Sequence, residues 1–323
     1  MYSNFNKAKV LCLLYQYLVT VVAEMIRKSR VALNQNVGYL FVLPALLFML
    51  AFIGYPVVSN IILSFQKVNV MTFSSKVKEF AGFSNYLEVL KDPVLLISVK
   101  NTFVFTVGSI FFQFIIGFAL ALFFNLKFSV AKPLRGFLMV SWMLPITITG
   151  LMFKFMFGTN GGIINSLLLN LHLVNQPLEW LVSPAPAMWS LVIANIWIGI
   201  PFNMILISTG LSTIPAEIYE VSNIDGAGPF RKFFYITLPM LSSSLQAVLV
   251  LGFIYTFKVF DLVYVMTKGG PVNATEVLST YSYKMSFTTF DFSKGATIAN
   301  ILFVILFFVS LLYLRLIKED EVM

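Results

Sequence analysis

The sequence predicts an all-α integral membrane protein: six transmembrane helices, a cytoplasmic helix-turn-helix and an N-terminal interfacial helix. Three observations carry that prediction. The 323 residues are 59% hydrophobic and only 11% charged, with a mean hydropathy of +0.87, where a soluble domain holds about 25% charged residues. Six stretches run uncharged for the length of a bilayer crossing. The arginines gather on alternate inter-helix segments.

A helix needs about 20 apolar residues to cross. The uncharged stretches are Val31–Gln66, Asn101–Leu126, Gly136–Phe153, Trp180–Ala216, Phe233–Phe257 and Gly295–Leu314. Trimmed at turn residues, they predict helices over 38–64, 100–125, 134–157, 187–211, 241–266 and 295–317. The shortest stretch is bounded by Arg135 and Lys154, whose apolar stems can snorkel. Ahead of the first span, Val10–Ala23 is an apolar run of 14 residues followed by "EMIRKSR". That length suits an interfacial helix, and no small-residue cleavage site follows. The chain then divides into an N-terminal segment 1–36, a transmembrane domain 37–318 and a cytoplasmic tail 319–323.

Orientation follows from the basic residues. Lys7, Lys9, Arg27, Lys28 and Arg30 precede the first span; Lys127, Lys132 and Arg135 fall between the second and third. Arg231 and Lys232 lie before the fifth, and Arg315 and Lys318 end the sixth. With six spans all of these share one side, and the segment 158–186 on the other has no Lys or Arg. The positive-inside rule makes the first side cytoplasmic, with both termini. The net charge of +8 is accounted for by anionic lipid at that edge, and no nucleic-acid partner is implied. One cysteine (Cys12) and one histidine (His172) exclude a CxxC redox pair and a histidine metal cluster within the chain.

The segment "EIYEVSNIDGAGPFRKFFYITLPML" (Glu217–Leu241) is polar where its flanks are apolar. Ser212, Thr213 and Pro215 sit where a helix start would place them. Gly226 and Gly228 allow positive φ, and Pro229 cannot donate to a helical ladder. The pattern predicts two short helices joined by a turn, on the cytoplasmic side. It would present Tyr219, Val221, Ile224 and Phe230 to water, either for a partner or for packing against its own bundle.

These residues also carry a resemblance. "IPAEIYEVSNIDGAGPFRKFFYITLP" resembles the EAA loop of permease subunits of binding-protein-dependent ABC importers, matching at Glu220, Asp225, Gly226, Ala227, Phe230, Phe234, Ile236 and Pro239. It departs at Val221 and Ser222, where the family usually has alanines, and at Ser243, where a second proline is common. "FKVFDLVYVMTKGGPVNATEVLSTYSYKMSF" and "WIGIPFNMILISTGLSTIP" are similar to the carbohydrate branch, especially its maltose- and glycerol-phosphate-type first permeases. The similarity runs from about Tyr39 to Leu314.

The resemblance implies a coupling helix that docks on a cytoplasmic ATPase, with Glu217, Glu220, Asp225, Gly226, Ala227 and Phe230 as the coupling residues. It implies a second homologous permease, two ATPase subunits, an external solute-binding protein and a sugar substrate. ATP and Mg would sit on the ATPases, because this chain has no G-x-x-x-x-G-K-[ST] sequence and binds no cofactor of its own. "GTNGGIIN" (Gly158–Asn165) lacks the lysine and reads as an external turn.

Polar groups inside the spans mark a candidate path. Asn195, Gly199 and Asn203 are four apart, on one helical face. Their amides need partners, which a sugar hydroxyl or another helix could supply. Tyr255, Lys258 and Asp261 form an i, i+3, i+6 series. Because a lone charge in mid-bilayer is costly, Lys258 and Asp261 read as a neutralising pair or as substrate contacts. Trp142 and Pro145 stack a sugar or kink the third helix. Two other classes remain: an importer of a non-sugar solute, and a secondary transporter, which would carry inverted repeats that the sequence does not display.

Overall fold

A computed structural model describes Tyr39 and residues 41–126 and 128–320; the helix expected at 10–23, the segment 1–36 and residues 321–323 lie outside the described residues. The chain divides into two units, Met1–Asn60 and Ile61–Met323. In the first, the described chain is helical. It belongs to α1 (Phe41–Ser64), which runs on past the boundary and contains a π-turn at Leu50–Gly54. Phe41, Phe48, Phe52 and Ile53 are all exposed. A helix apolar on every side suits lipid rather than water.

In the second unit, β1 (Gln66–Lys67) and β2 (Glu79–Phe80) pair antiparallel, Gln66 opposite Phe80. Helix α2 (Ser84–Lys91) leads into α3 (Pro93–Asn125). The start of α3 is set by Pro93 and by the Asp92 carboxylate, which accepts from the Val94 N–H at 2.9 Å. That cap places the start well before residue 100, where the sequence predicts it.

The third predicted span is two helices, α4 (Ala131–Met143) and α5 (Ile146–Met156), meeting at 95°. Leu144 is extended (φ −71°, ψ 138°), as a residue before proline prefers, so Pro145 turns the chain sharply. After the turn 158–162, α6 (Ile163–Asn170) begins inside the stretch read as an external turn. Helix α7 (Pro184–Thr213) passes through Pro201 without a break.

Helix α8 (Ala216–Ile224) and α9 (Pro229–Met240) form the helix-turn-helix, and α9 meets α10 (Ser242–Phe257) at 65°. The expected start signals Ser212 and Thr213 instead close α7, their hydroxyls donating back to the carbonyls of Thr209 and Gly210; Pro215 takes the cap of α8. The predicted fifth span is also interrupted. Helix α10 ends at Phe257 and α11 (Asp261–Met266) starts anew, with the freed Val259 carbonyl accepting from the Ser279 hydroxyl. Helix α12 (Leu278–Tyr283) and α13 (Phe292–Asp320) are the last described elements, and α13 runs on as a helix past its apolar stretch, which ends at Tyr313.

Among the described residues four helices are long and apolar enough to cross a membrane: α1, α3, α7 and α13 over Phe292–Tyr313. Counting each bent pair as one span gives up to six. The frame of the second unit is α3 against α7. A Cβ on Gly117 would lie 2.6 Å from Asn203 Cβ, and one on Gly199 would lie 2.2 Å from the Gln113 side chain. Glycine at both points lets the helices approach where lipid supplies no hydrophobic drive for association. Phe105 and Leu191 anchor one buried cluster across this contact, and Ala121, Met204 and Ile207 another.

Candidate functional site

The bend at Pro145 and the break at 258–260 open a cavity of about 390 Å³ between α3, α4, α5, α7, α10 and α11. Asn195, Tyr255, Lys258 and Asp261 all line it, together with Trp142. Three residues that the sequence reading did not single out join them: Gln113, Phe202 and Thr256. Gln113 was findable, since it is the one amide in the apolar run Thr102–Phe124. Phe202 was not, being one of 34 phenylalanines.

Asn195 is 8% exposed, its carbonyl accepting from Gln113 Nε2 at 2.8 Å. Its own Nδ2 has no hydrogen-bond partner among the described residues. Such an orphaned donor costs about 1–3 kcal/mol, and it lies buried behind a largely apolar cavity wall. Phe202 joins Trp142 (centroids 6.1 Å apart) to Tyr255 (5.9 Å), giving the cavity an aromatic side.

Asn203 shares that helical face but does not line the cavity. It is 2% exposed and donates to the Gly199 carbonyl at 2.8 Å, wedged against Gly117. It is a packing residue of the α3–α7 contact, because the close approach of the helices closes over it one turn beyond the cavity. The expected Lys258–Asp261 pair is also absent: no ion pair within 4 Å joins them among the described residues. The helix ends between Tyr255 and Lys258, so the i, i+3 geometry never forms. Lys258 Nζ stands instead over the Tyr255 ring at 5.3 Å.

The segment after α11 is fixed from α3, whose Asn101 Nδ2 lies within 3.0–3.1 Å of the carbonyls of Asn273, Ala274 and Glu276. The Glu276 side chain is buried, accepting from Thr280 and lying 3.5 Å from Lys284. Burial pushes its carboxyl above the ordinary range against those two partners.

In the helix-turn-helix, Gly226 has φ +71°. Its N–H donates to Asn223 at 3.1 Å, and the Ala227 N–H donates to Ser222 at 2.9 Å. The pair forms a Schellman close with glycine at the left-handed position. Lys232 on α9 donates to the Asn223 side chain across the turn. Glu217, Glu220, Asp225 and Gly226 are exposed, Ala227 is half-buried and Phe230 is 83% exposed. Tyr219 does not face water as the sequence suggests: its hydroxyl bonds Thr237 at 2.9 Å and its ring packs on the α3–α7 cluster. Val221 and Ile224 do project.

Membrane-length helices around a cavity lined by aromatic and a few polar side chains, with a glycine-closed turn motif between two helices, define a solute permease. The chain belongs to the family of binding-protein-dependent transport system inner membrane components, whose profile matches residues 113–319. It is a multi-pass membrane protein and the permease subunit of an ABC importer. It is 33% identical over 288 residues to the sulfoquinovosyl glycerol transport system permease protein SmoG of Agrobacterium fabrum, covering 89% of this chain and 92% of that one. It is 33% identical over 280 residues to the trehalose/maltose transport system permease protein MalF of Thermococcus litoralis, covering 87% and 93%. In fold it is similar to a bacterial ABC transporter involved in import of the acidic polysaccharide alginate, with TM-score 0.71 and 22% identity over 87% of this chain and 96% of that one.

Proposed function

We propose that this chain forms half of the translocation path for a sugar or oligosaccharide in an ATP-driven importer, paired with a second related permease. An external binding protein delivers the cargo. Two cytoplasmic ATPases, which carry the ATP and Mg, engage α8 and α9 as the coupling element. The bent pairs then count as spans, giving six, with both termini cytoplasmic. Glu217, Glu220, Asp225 and Phe230 face the ATPase, and Gly226 and Ala227 shape the turn.

The observation that carries the reading is Asn195. Asn195 lines a cavity with an aromatic side, and its buried amide N–H has no partner among the described residues. Turned into the cavity, it would give a pyranose a donor for its hydroxyl oxygens beside flat faces for its C–H surfaces. The sugar names of the relatives SmoG and MalF support the same cargo class. One feature favours a second reading. Lys258 and Asp261 are oppositely charged on the same wall, with no ion pair between them among the described residues, which would suit a zwitterionic solute. Uptake of a labelled panel of saccharides and amino acids by the reconstituted complex decides between them. Saccharide uptake that Asn195→Leu weakens supports the first reading, and amino-acid uptake alone overturns it.

A further inference from the structure

Six aromatic rings run in unbroken contact from the cavity to the end of the second unit opposite the helix-turn-helix. Phe260, which lines the cavity, stacks on Tyr264 with centroids 5.1 Å apart and planes 18° apart. Tyr283 touches both at 5.0 Å. Phe287 follows at 5.0 Å, Phe292 at 6.4 Å and Phe73 at 5.0 Å. The far ring belongs to the β1–β2 hairpin, which is tied to the start of α13: Val68 N–H donates to the Ser293 hydroxyl at 2.8 Å, and Asn69 bridges Asp291.

This line is not core. None of the six rings belongs to the buried clusters, and Phe287 and Phe73 are 59% and 54% exposed. Nor is it wholly apolar. Tyr264 and Tyr283 contribute phenols, and Lys268 and Lys78 stand over Tyr264 and Phe73 at 5.9 and 5.4 Å. Flat rings edged by hydrogen-bonding groups match a pyranose, which has C–H faces and a hydroxyl rim, better than they match lipid tails.

We propose that these rings form a saccharide track, a row of weak stacking stations that carries a sugar between the outer end of the protein and the cavity. The proposal rests on the saccharide reading of the cavity and adds to it a second site, outside the spans, built from Phe73, Phe287 and Phe292. Each station must be weak, since a solute that has to move on cannot be held tightly at any one ring.

The test uses the complete complex in proteoliposomes, with its binding protein in fixed excess and the saccharide that the parent complex takes up best. Phe287→Leu and Phe73→Leu keep bulk and apolarity but remove the flat face, whereas Phe287→Trp and Phe73→Trp keep it. The expected result is an apparent KM raised about 3- to 10-fold by each leucine, the range that one aromatic contact spans, and near the parent value with tryptophan. Phe and Leu serve equally against lipid, so a KM within twofold of the parent in both leucine variants overturns the track. So does an equal rise for Leu and Trp. Absence of uptake for every saccharide in the parent complex overturns the cavity reading and the track with it. Saccharide uptake insensitive to the leucine variants overturns the track alone.

Discussion

Asn195 and Asn203 lie on one face of α7 and have opposite environments. Asn195 lines the cavity with its Nδ2 buried and unpartnered among the described residues. If that amide turns to a sugar, Asn195→Leu should weaken saccharide binding about 3- to 10-fold, the worth of one neutral hydrogen bond, with the complex still assembled. Asn203 is packed against Gly117 and donates to the Gly199 carbonyl, so Asn203→Leu should instead lower the melting temperature, because a bulkier side chain overpacks the buried contact and loses that hydrogen bond. Equal binding losses at unchanged melting temperature would contradict this division. A second residue-scale prediction concerns Lys258 and Asp261. Without an ion pair between them, the Lys258→Met/Asp261→Asn double variant should not recover the uptake that either single variant loses; recovery would restore the pair expected from the sequence.

The element that turns on backbone geometry is the α8–α9 turn. A Cβ at Gly226 would meet nothing within 4 Å, so only the left-handed φ of +71° resists substitution. Gly226→Val should therefore cost at least about 1–2 kcal/mol and uncouple hydrolysis from transport while the chain still inserts. Gly226→Asn should retain most coupling, since asparagine tolerates this region. If both variants behave alike, the backbone argument fails. Glu220→Ala removes an exposed carboxylate from the same element. If Glu220 pairs with a basic residue on the ATPase, the loss is about 2–5 kcal/mol for a buried pair and less at a rim. A cysteine at Ala227 should cross-link to the ATPase and resist an impermeant reagent added outside the cell; external labelling would reverse the orientation.

At the scale of the whole molecule, the described residues leave the rim of the cavity exposed. Tyr255 and Trp142 line it yet are 59% and 50% exposed, and a transport path cannot remain open to lipid along one side. A second permease closing that side is expected to co-purify from native membranes together with the ATPase. A stable monomer that transports unaided would refute the half-path arrangement. Backbone amides of the α8–α9 turn, next to the exposed Phe230 ring, are expected to become protected from hydrogen exchange when the ATPase binds.

Long uncharged runs determined the spans, since a bilayer imposes both length and apolarity on each crossing. α1, α3, α7 and α13 accordingly lie where hydropathy places them. The Gly226 turn was legible for a similarly local reason, because only glycine readily takes that φ. The cap at Asp92-Pro93 is equally local, but the uncharged run stops at Asn101, short of it. The breaks at Pro145 and at 258–260 were different. Pro145 announced a kink but not one of 95°, and nothing local in Lys258-Val259-Phe260 marks a helix end. That end is held by Ser279, twenty residues on. The same holds for the site: composition along α7 put Asn195 and Asn203 on one face, and only the approach of α3 through Gly117 and Gly199 decided which amide reached the cavity. Hydropathy and φ preferences belong to single residues and can be read along the chain. A cavity wall belongs to pairs of helices, and which groups it leaves unpartnered is settled only when they pack.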